Sequence, residues 1–243
     1  MKILVFIKQV PETDEIRLDP RTGILNRDSV PSIMNPYDVH AVEAALQLKE
    51  THGGSVHVIS MGPPQAKAVL KEALAMGCDE AYLLSDRAFG GADSLATGHV
   101  LAKAAEKIGG YDLLLFGKCA VDAETAQTGP IVAELLDLPQ VTLVEDLACA
   151  DGWATCRRDL GNQFQTVKVK LPALIAVTGQ INRPRYPRPA RIRICLDVFD
   201  ELGLLTLEEH QRLLQVTLTS DGRKVDLDQS GIIQSLKSRT AGE

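Results

Sequence analysis

The sequence lacks the features that mark a secreted, membrane-embedded or nucleic-acid-binding protein. Its five cysteines are odd in number and have no Cys-x-x-Cys spacing, which argues against a disulfide framework and most zinc sites and predicts a cytoplasmic protein. No apolar run approaches the roughly 20 residues that span a bilayer, so we expect no membrane insertion. The 26 basic and 32 acidic residues give a net charge of −6, which argues against a nucleic-acid partner.

The common catalytic and cofactor signatures are missing as well. No Gly-x-Gly-x-x-Gly follows the first predicted strand, and the chain contains neither Gly-x-x-x-x-Gly-Lys-Ser/Thr nor a Gly-x-Ser-x-Gly elbow. The five histidines are scattered, so no metal cluster is predicted. The sequence therefore favours a nucleotide-binding domain that has no general base or nucleophile of its own.

The first 140 residues alternate between short apolar runs and amphipathic stretches, which predicts an α/β fold. Asn35-Pro36 is expected to cap and open a helix, and a β-hairpin is expected over 15–26. The alternation predicts an open, mostly parallel Rossmann-like sheet with helices on both faces. We expect strands at 3–8, 55–61, 80–84 and 112–116, and further helices at 64–76, 93–108 and 125–136.

The pattern changes after residue 140, where strand-like segments follow one another without helices. These segments, at 141–147, 153–159, 163–170 and 173–179, predict antiparallel strands added to the main sheet. Three prolines and three arginines at 182–189 then predict an exit from the core. We therefore predict a nucleotide-binding domain over 1–190. A C-terminal arm at 191–243, with short helices at 206–215 and 230–237, is expected to pack on a partner subunit or on the same domain.

Three loops at the expected carboxyl ends of the strands have unusual composition, and ligands of open parallel sheets bind at this edge. In the loop that begins at Gly117, Thr125 and Thr128 are predicted to lie in the first helical turn, where free N–H groups favour a phosphate. The alternative is an ordinary capped helix.

The loop over 86–97 has paired glycines, and Ser94 and Thr97 stand one helical turn apart, so both hydroxyls can reach one polar ligand edge. The alternative there is a plain N-cap with exposed hydroxyls. Met61-Gly62 either admits an adenine or ribose or simply forms a turn.

The sequence resembles the β subunit of electron-transfer flavoproteins. The segments that carry the resemblance include Ile7-Lys8-Gln9-Val10-Pro11, Met34-Asn35-Pro36-Tyr37-Asp38, Ala73-Leu74-Ala75-Met76-Gly77, the loop from Gly117-Lys118 to Gly129, Leu171-Pro172-Ala173 and Asn182-Arg183-Pro184-Arg185-Tyr186-Pro187. The resemblance implies a core related to adenine-nucleotide hydrolase-like folds and a heterodimer with an α subunit. It also implies electron exchange with an acyl-CoA dehydrogenase-like or other flavin dehydrogenase.

The loop Asp86–Thr97 and the segment Glu124-Thr125-Ala126-Gln127 are similar to those of the electron-bifurcating branch of that family. The resemblance then implies a bound FAD that accepts electrons from NADH, with any NADH oxidation confined to the αβ complex. AMP as a structural nucleotide is the alternative, and an independent ATP-using enzyme or a stand-alone adenylate-binding module are further ones.

The resemblance also implies a set of cofactor contacts. Ser94 and Thr97 would bond the flavin edge, and Thr125 and Thr128 the phosphates, with backbone N–H groups around Asp122–Thr125 holding a pyrophosphate. The residues predicted to contact the cofactor are Ile7, Asn35, Pro36, Tyr37, Met61, Gly62, Phe89, Ser94, Thr97, Gly117, Lys118, Cys119, Ala120, Val121, Asp122, Thr125, Gln127 and Thr128.

Overall fold

The structure, a computed structural model, describes residues 1–12, 31–189 and 191. The predicted hairpin at 15–26, the predicted arm beyond 191 and its helices lie outside these residues. The strands are β1 (Lys2–Phe6), β2 (Gln9–Pro11), β3 (Ser32–Met34), β4 (Ser55–Met61), β5 (Glu80–Leu84), β6 (Leu113–Gly117), β7 (Gln140–Ala150), β8 (Trp153–Asp159), β9 (Phe164–Lys170) and β10 (Ala173–Val177). The helices are α1 (Pro36–His52), α2 (Lys67–Met76), α3 (Ser94–Ile108) and α4 (Thr128–Leu135). Two short 3₁₀ turns, Pro64–Ala66 and Arg87–Phe89, precede α2 and α3.

The described strands form an eight-stranded sheet in the order β5-β4-β1-β6-β10-β7-β8-β9. The pairs from β5 to β7 are all parallel, and β7, β8 and β9 pair antiparallel. A separate antiparallel pair joins β2 to β3. The predicted α/β fold with a mostly parallel sheet is therefore confirmed.

Helices cover both faces of the parallel part of the sheet. In β1, Ile3 and Val5 join the core cluster that includes α1 and α2, whereas Leu4 and Phe6 join the cluster that includes α3 and α4. Successive side chains of a strand point to opposite faces, so a continuous apolar run is buried on both sides. Within the described ranges, no helix is long and apolar enough to cross a bilayer.

The position of β10 corrects one expectation. The pattern after residue 140 predicts that the segment at 173–179 is one of several antiparallel additions. Instead, β10 lies inside the sheet, parallel to both β6 and β7. All five residues of β10 are buried, which an edge strand would not allow, and the antiparallel part is the β7–β8–β9 meander.

Two helix boundaries test the local signals of the sequence. The helix predicted at 64–76 ends where α2 ends, because Gly77 follows with a φ of 138°, a backbone conformation that side chains disfavour. In contrast, α4 begins at Thr128 and not at Thr125. Glu124 and Ala126 have left-handed backbone, with φ of 49° and 53°, and this conformation cannot continue a right-handed helix.

The Pro- and Arg-rich segment after β10 is fixed to α1. Arg185 Nε donates to Glu43 at 2.8 Å, and its guanidinium also bonds Glu50. Glu43 is buried, so this ion pair holds the segment where the chain leaves the sheet. A cavity of about 150 Å³ lies beside it, and Lys49 in its lining donates to Asp79 at 2.6 Å. The cavity is lined by Leu46, Lys49, Glu50, Met76, Gly77, Arg185, Arg188 and Arg191.

Candidate functional site

The predicted cofactor residues come together at the carboxyl edge of the parallel strands. Ile7 follows β1, Met61 ends β4 and Gly117 ends β6, while α1 and α3 begin beside these strand ends. Beneath them, the rings of Phe6 and Phe116 stack with their centroids 4.3 Å apart. This is the edge at which ligands of open α/β sheets bind.

Asn35 connects the start of α1 to the loop after β6. Its side-chain amide donates to the carbonyl of Cys119 at 2.9 Å and accepts from the N–H of Val121 at 3.1 Å. Asn35 is fully buried, and it makes no side-chain cap bond to its own helix. Asn35 thus occupies the predicted N-cap position before Pro36, but its amide bonds the loop at both ends in place of the helix.

Asp38 lies one turn into α1 and joins two strand ends, a role that the sequence analysis missed. One carboxylate oxygen accepts from the N–H of Lys8 at 2.8 Å, and the other accepts from the N–H of Gly117 at 3.2 Å. A Cβ at Gly117 would overlap this carboxylate and the backbone of Tyr37. The sequence feature that could have indicated this role is an acidic residue three positions after Asn35, next to the apolar stripe of α1.

Burial dominates the ionisation of Asp38. Because its carboxylate is removed from water, its pKa is raised to about 7, although hydrogen bonds from Asn35 and from the backbone of Lys8 and Gly117 oppose the shift. A carboxyl group that changes charge near neutral pH therefore lies directly under the candidate cofactor loop.

The loop between β6 and α4 is pinned at its start and exposed farther on. The N–H of Lys118 donates to Val177 of β10 at 2.8 Å. The carboxylate of Asp122 accepts from Lys8 at 2.7 Å, so its negative charge is paired with a cation that was not among the predicted contacts. Residues 121–127 are exposed, which leaves this part of the loop accessible to a ligand.

The loop backbone has the geometry of an anion-binding concavity. Glu124 and Ala126 are left-handed, whereas Gln127 is right-handed and precedes the first residue of α4. Alternation of this kind turns successive N–H groups toward one side, and the N-terminus of a helix adds a favourable dipole. Thr125 thus belongs to the concavity before the helix, and Thr128 to the helix start.

The loop over 86–97 reaches the same place. Ser94 Oγ lies 3.4 Å from Thr125 Oγ1, so the first residue of α3 contacts the loop before α4. The helix is capped by Asp93, whose carboxylate accepts from the N–H of Ala96 at 2.8 Å, so the Ser94 hydroxyl is not used as the cap and donates to Thr125. Thr97 is half-buried one turn farther along the same helix.

The remaining predicted residues differ in their surroundings. The N–H of Gly62 donates to the carbonyl of Leu84 at 3.0 Å, which extends the pairing of β4 with β5 by one bond. Pro36 is exposed, and the Lys118 ammonium lies 4.7 Å from the centre of the Tyr37 ring. Phe89 packs against the core cluster beneath α3. Ala120 accepts from the N–H of Glu124 at 2.8 Å and shapes the loop.

The donor set fits a nucleotide that carries phosphates. The backbone at 125–127 and the helix start supply N–H groups, Thr125 and Thr128 supply hydroxyls, and Lys118 supplies positive charge nearby. Two N–H groups of the segment 122–125 that was predicted to hold a pyrophosphate, those of Ala123 and Glu124, donate instead to the carbonyl of Ala120. The stacked rings of Phe6 and Phe116 form an apolar surface at the strand ends, and Ser94 extends the polar rim beyond Thr125.

Comparison with known proteins shows the family. The electron transfer flavoprotein domain family matches residues 22–193. The electron transfer flavoprotein subunit beta of Thermoanaerobacterium thermosaccharolyticum is 51% identical over 187 residues, covering 77% of this chain and 72% of that protein. Subunit CarD of the caffeyl-CoA reductase-Etf complex of Acetobacterium woodii is 49% identical over 187 residues, covering 76% of this chain and 71% of that protein.

A third relative is the acryloyl-CoA reductase electron transfer subunit gamma of Anaerotignum propionicum. It is 39% identical over 190 residues, covering 76% of this chain and 71% of its own length. Together with the parallel sheet and the loops at its carboxyl edge, these matches decide the assignment. The chain belongs to the β subunits of the electron transfer flavoprotein family.

Proposed function

We propose that this chain binds FAD at the carboxyl edge of its sheet and works as the β subunit of an electron-bifurcating electron transfer flavoprotein. The contact between Ser94 and Thr125 carries this proposal, because it joins the 86–97 loop and the 117–128 loop into one polar rim. AMP ends at its phosphate and would use the second loop alone, whereas FAD continues past its pyrophosphate and needs the first loop too.

The chain's own residues would bind and orient the cofactor. The concavity at Thr125–Gln127 and the hydroxyls of Thr125 and Thr128 would hold the pyrophosphate. Ser94 and Thr97 would donate to the polar edge of the ring system. When bound, FAD would supply the redox chemistry by accepting a hydride, and the protein would tune it through hydrogen bonds and nearby charge.

NADH is the proposed electron donor, and the FAD of an α subunit is the proposed first acceptor. CarD and the acryloyl-CoA reductase subunit carry names that tie those relatives to reductases of unsaturated acyl-CoA compounds. We extend this to the present chain as a partnership with an acyl-CoA dehydrogenase-like or other flavin dehydrogenase. The corresponding NADH oxidation is expected in the αβ complex.

Structural AMP remains the second candidate, and one observation favours it. Phe89 lies in the 86–97 loop, which FAD would need and AMP would not. Its side chain packs against the core cluster and therefore has a structural role. The loop over 86–97 would then act mainly as a helix start capped by Asp93.

Counting the cofactors of the αβ heterodimer separates the two candidates. The native complex is purified, denatured, and its FAD and AMP are quantified per heterodimer by chromatography. We expect two FAD, with bleaching of flavin absorbance by NADH. One FAD together with one AMP would assign the chain to the non-bifurcating type, and a complex with one FAD and no AMP would remove nucleotide binding from this chain.

Replacing Thr125 by valine tests the position of the nucleotide. Thr125→Val keeps the side-chain shape and removes the hydroxyl, and a lost bond to a charged phosphate is worth about 1.5–3 kcal/mol. We expect the nucleotide content of the chain to fall by tenfold or more under equal dialysis. Thr155→Val, on the exposed face of β8, is the matched control and should retain full content. Equal content in both variants would place the phosphates elsewhere.

A further inference from the structure

Two side chains at the start of α1, the N-cap Asn35 and Asp38 of the first turn, hold together the elements that form the candidate cofactor cleft. Asp38 joins the N–H of Lys8, after β1, to the N–H of Gly117, at the end of β6. Asn35 joins the same helix to Cys119 and Val121. The start of the 117–127 loop is therefore positioned by a buried polar pair, three residues apart on one helix face.

Protonation would remove part of this support. An ionised carboxylate accepts hydrogen bonds at both oxygens, whereas in a protonated carboxyl one oxygen carries a hydrogen and is a poor acceptor. Because the two N–H groups approach different oxygens of Asp38, the neutral form would leave either Lys8 or Gly117 facing an O–H group. A buried donor without an acceptor is costly, so the strand end or the loop would shift.

The charged groups around Asp38 do not prevent its protonation near neutral pH. From the β1 side, the charge of Lys8 favours the ionised form, but the ammonium is already paired with Asp122 at 2.7 Å. From the loop side, the Lys118 ammonium lies over the Tyr37 ring.

The thiol and the histidine closest to this cluster are also accounted for. The pKa of the Cys119 thiol is raised, chiefly by burial, with the charge of Asp38 contributing, so the thiol stays neutral. On α1 itself, the His40 ring is turned toward Asn182, with Nδ1 and the amide oxygen 3.1 Å apart. Burial is thus the dominant influence, and it raises the pKa of Asp38 to about 7.

We propose that ionised Asp38 is a positioning residue for the nucleotide loop, so that proton uptake by Asp38 weakens the hold of this chain on its nucleotide. The proposal rests on the proposed function in one respect, namely that a nucleotide binds at the 117–128 loop. It adds a linkage between nucleotide retention and pH that depends on a residue outside the predicted contacts.

The experiment measures nucleotide release from the native αβ heterodimer between pH 5.5 and 8.5. Released FAD and AMP are separated by rapid filtration and quantified, and Thr125→Val identifies the fraction that this chain holds. For the wild type we expect release to accelerate about tenfold from pH 8 to pH 6, the effect of losing one hydrogen bond to a charged group. Asp38→Asn should release nucleotide at the fast rate at every pH, because an amide has one acceptor oxygen.

Asp79→Asn is the matched control, because Asp79 is a carboxylate at the opposite end of the sheet, paired with Lys49. It should keep the wild-type pH profile. A flat wild-type profile, or acceleration toward high pH, would overturn the proposal whether or not Asp38→Asn folds. If Thr125→Val lowers nucleotide content while the wild-type profile is flat, the Asp38 linkage alone fails. A heterodimer in which this chain holds no nucleotide overturns both proposals.

Discussion

Single buried polar side chains carry much of the specificity of this structure. Asp38, Glu43 and Asn35 are almost inaccessible to water, and each bonds groups that are distant in sequence. Burying a polar group without partners is unfavourable, so such residues favour one arrangement of the chain over its alternatives. In this protein they fix the start of α1 to the cofactor loop and its middle to the segment after β10.

Arg185 should be critical for stability. Arg185→Ala would leave Glu43 buried without its cation, and breaking such a pair costs about 3–5 kcal/mol. Arg185→Lys should recover part of this loss, because a single ammonium cannot contact Glu43 and Glu50 with the same geometry. Urea unfolding measures the change. Arg183→Ala, exposed in the same segment, is the control and should stay within about 0.5 kcal/mol of the wild type.

Asp38 should make the free energy of unfolding depend on pH in a predictable direction. Its pKa is raised from 3.8 to about 7 on folding, so between these values the folded state binds the proton and the unfolded state does not. Neutralising the buried charge outweighs the hydrogen bond that protonation weakens, because burial is the largest influence on this carboxyl group. The stabilising contribution is therefore complete below about pH 4 and declines as pH rises to about 7. Relative to Asp38→Asn, the wild type should therefore lose stability on the order of a few kcal/mol across this window. Both proteins are unfolded with urea at several pH values across this window. A difference in their free energy of unfolding that does not change with pH would contradict the prediction.

At the scale of elements, α3 and α4 pack closely because one of them presents a glycine. A Cβ on Gly98 would overlap the side chain of Ile131, so the two helices approach more closely than larger residues would allow. This packing matters for the site, because α3 carries Ser94 and α4 carries Thr128.

Gly98→Ala should therefore destabilise the protein by about 1–3 kcal/mol, the usual cost of overpacking. Ile131→Ala in the same chain should relieve the overlap, so the double variant should be more stable than the sum of the single changes predicts. Gly129→Ala is the control, since a Cβ there meets Phe116 and Leu174 at ordinary contact distances of 3.5 and 3.6 Å. Additive effects of Gly98→Ala and Ile131→Ala would contradict this account.

Most elements were predictable from local signals, and the exceptions have physical causes. Apolar runs predicted β1, β4, β5 and β6, and Gly77 predicted the end of α2. The sequence predicted the start of α4 three residues too early, at Thr125. Glycine is the residue type that usually signals a left-handed backbone, and here the left-handed residues are Glu124 and Ala126. The position of β10 depends on pairing with strands that are distant in sequence, which local patterns do not encode.

The candidate site was predictable in its location and less so in its construction. Gly117 and Ser94 stood out because Gly117 ends a strand and Ser94 begins a helix, and Thr125 because a helix was predicted to begin there. Asp38 and Lys8 did not, because their roles depend on bonds to backbone N–H groups and to Asp122 that appear only after folding.

At the scale of the whole molecule, the two ends of the sheet differ in character. The parallel part is covered by helices, whereas the β8–β9 meander leaves Trp153 and Phe164 partly exposed. Cations lie over both rings, with Lys168 5.3 Å from the Trp153 centroid and Arg157 4.5 Å from that of Phe164. Charged groups over exposed aromatic rings keep that surface hydrated and limit non-specific association.

The place of β10 in the sheet has a consequence for synthesis on the ribosome. The strand is the last of the described strands to be made, yet it separates β6 from β7. Until residues 173–177 leave the exit tunnel, the edges of β6 and β7 that pair with β10 stay open. The N–H of Lys118 also lacks its acceptor, the carbonyl of Val177. Domains generally fold as units during translation, and open edges invite pairing with other chains. Protease protection of arrested nascent chains should therefore rise in one step once β10 is exposed, and the protein should depend on chaperones until that point.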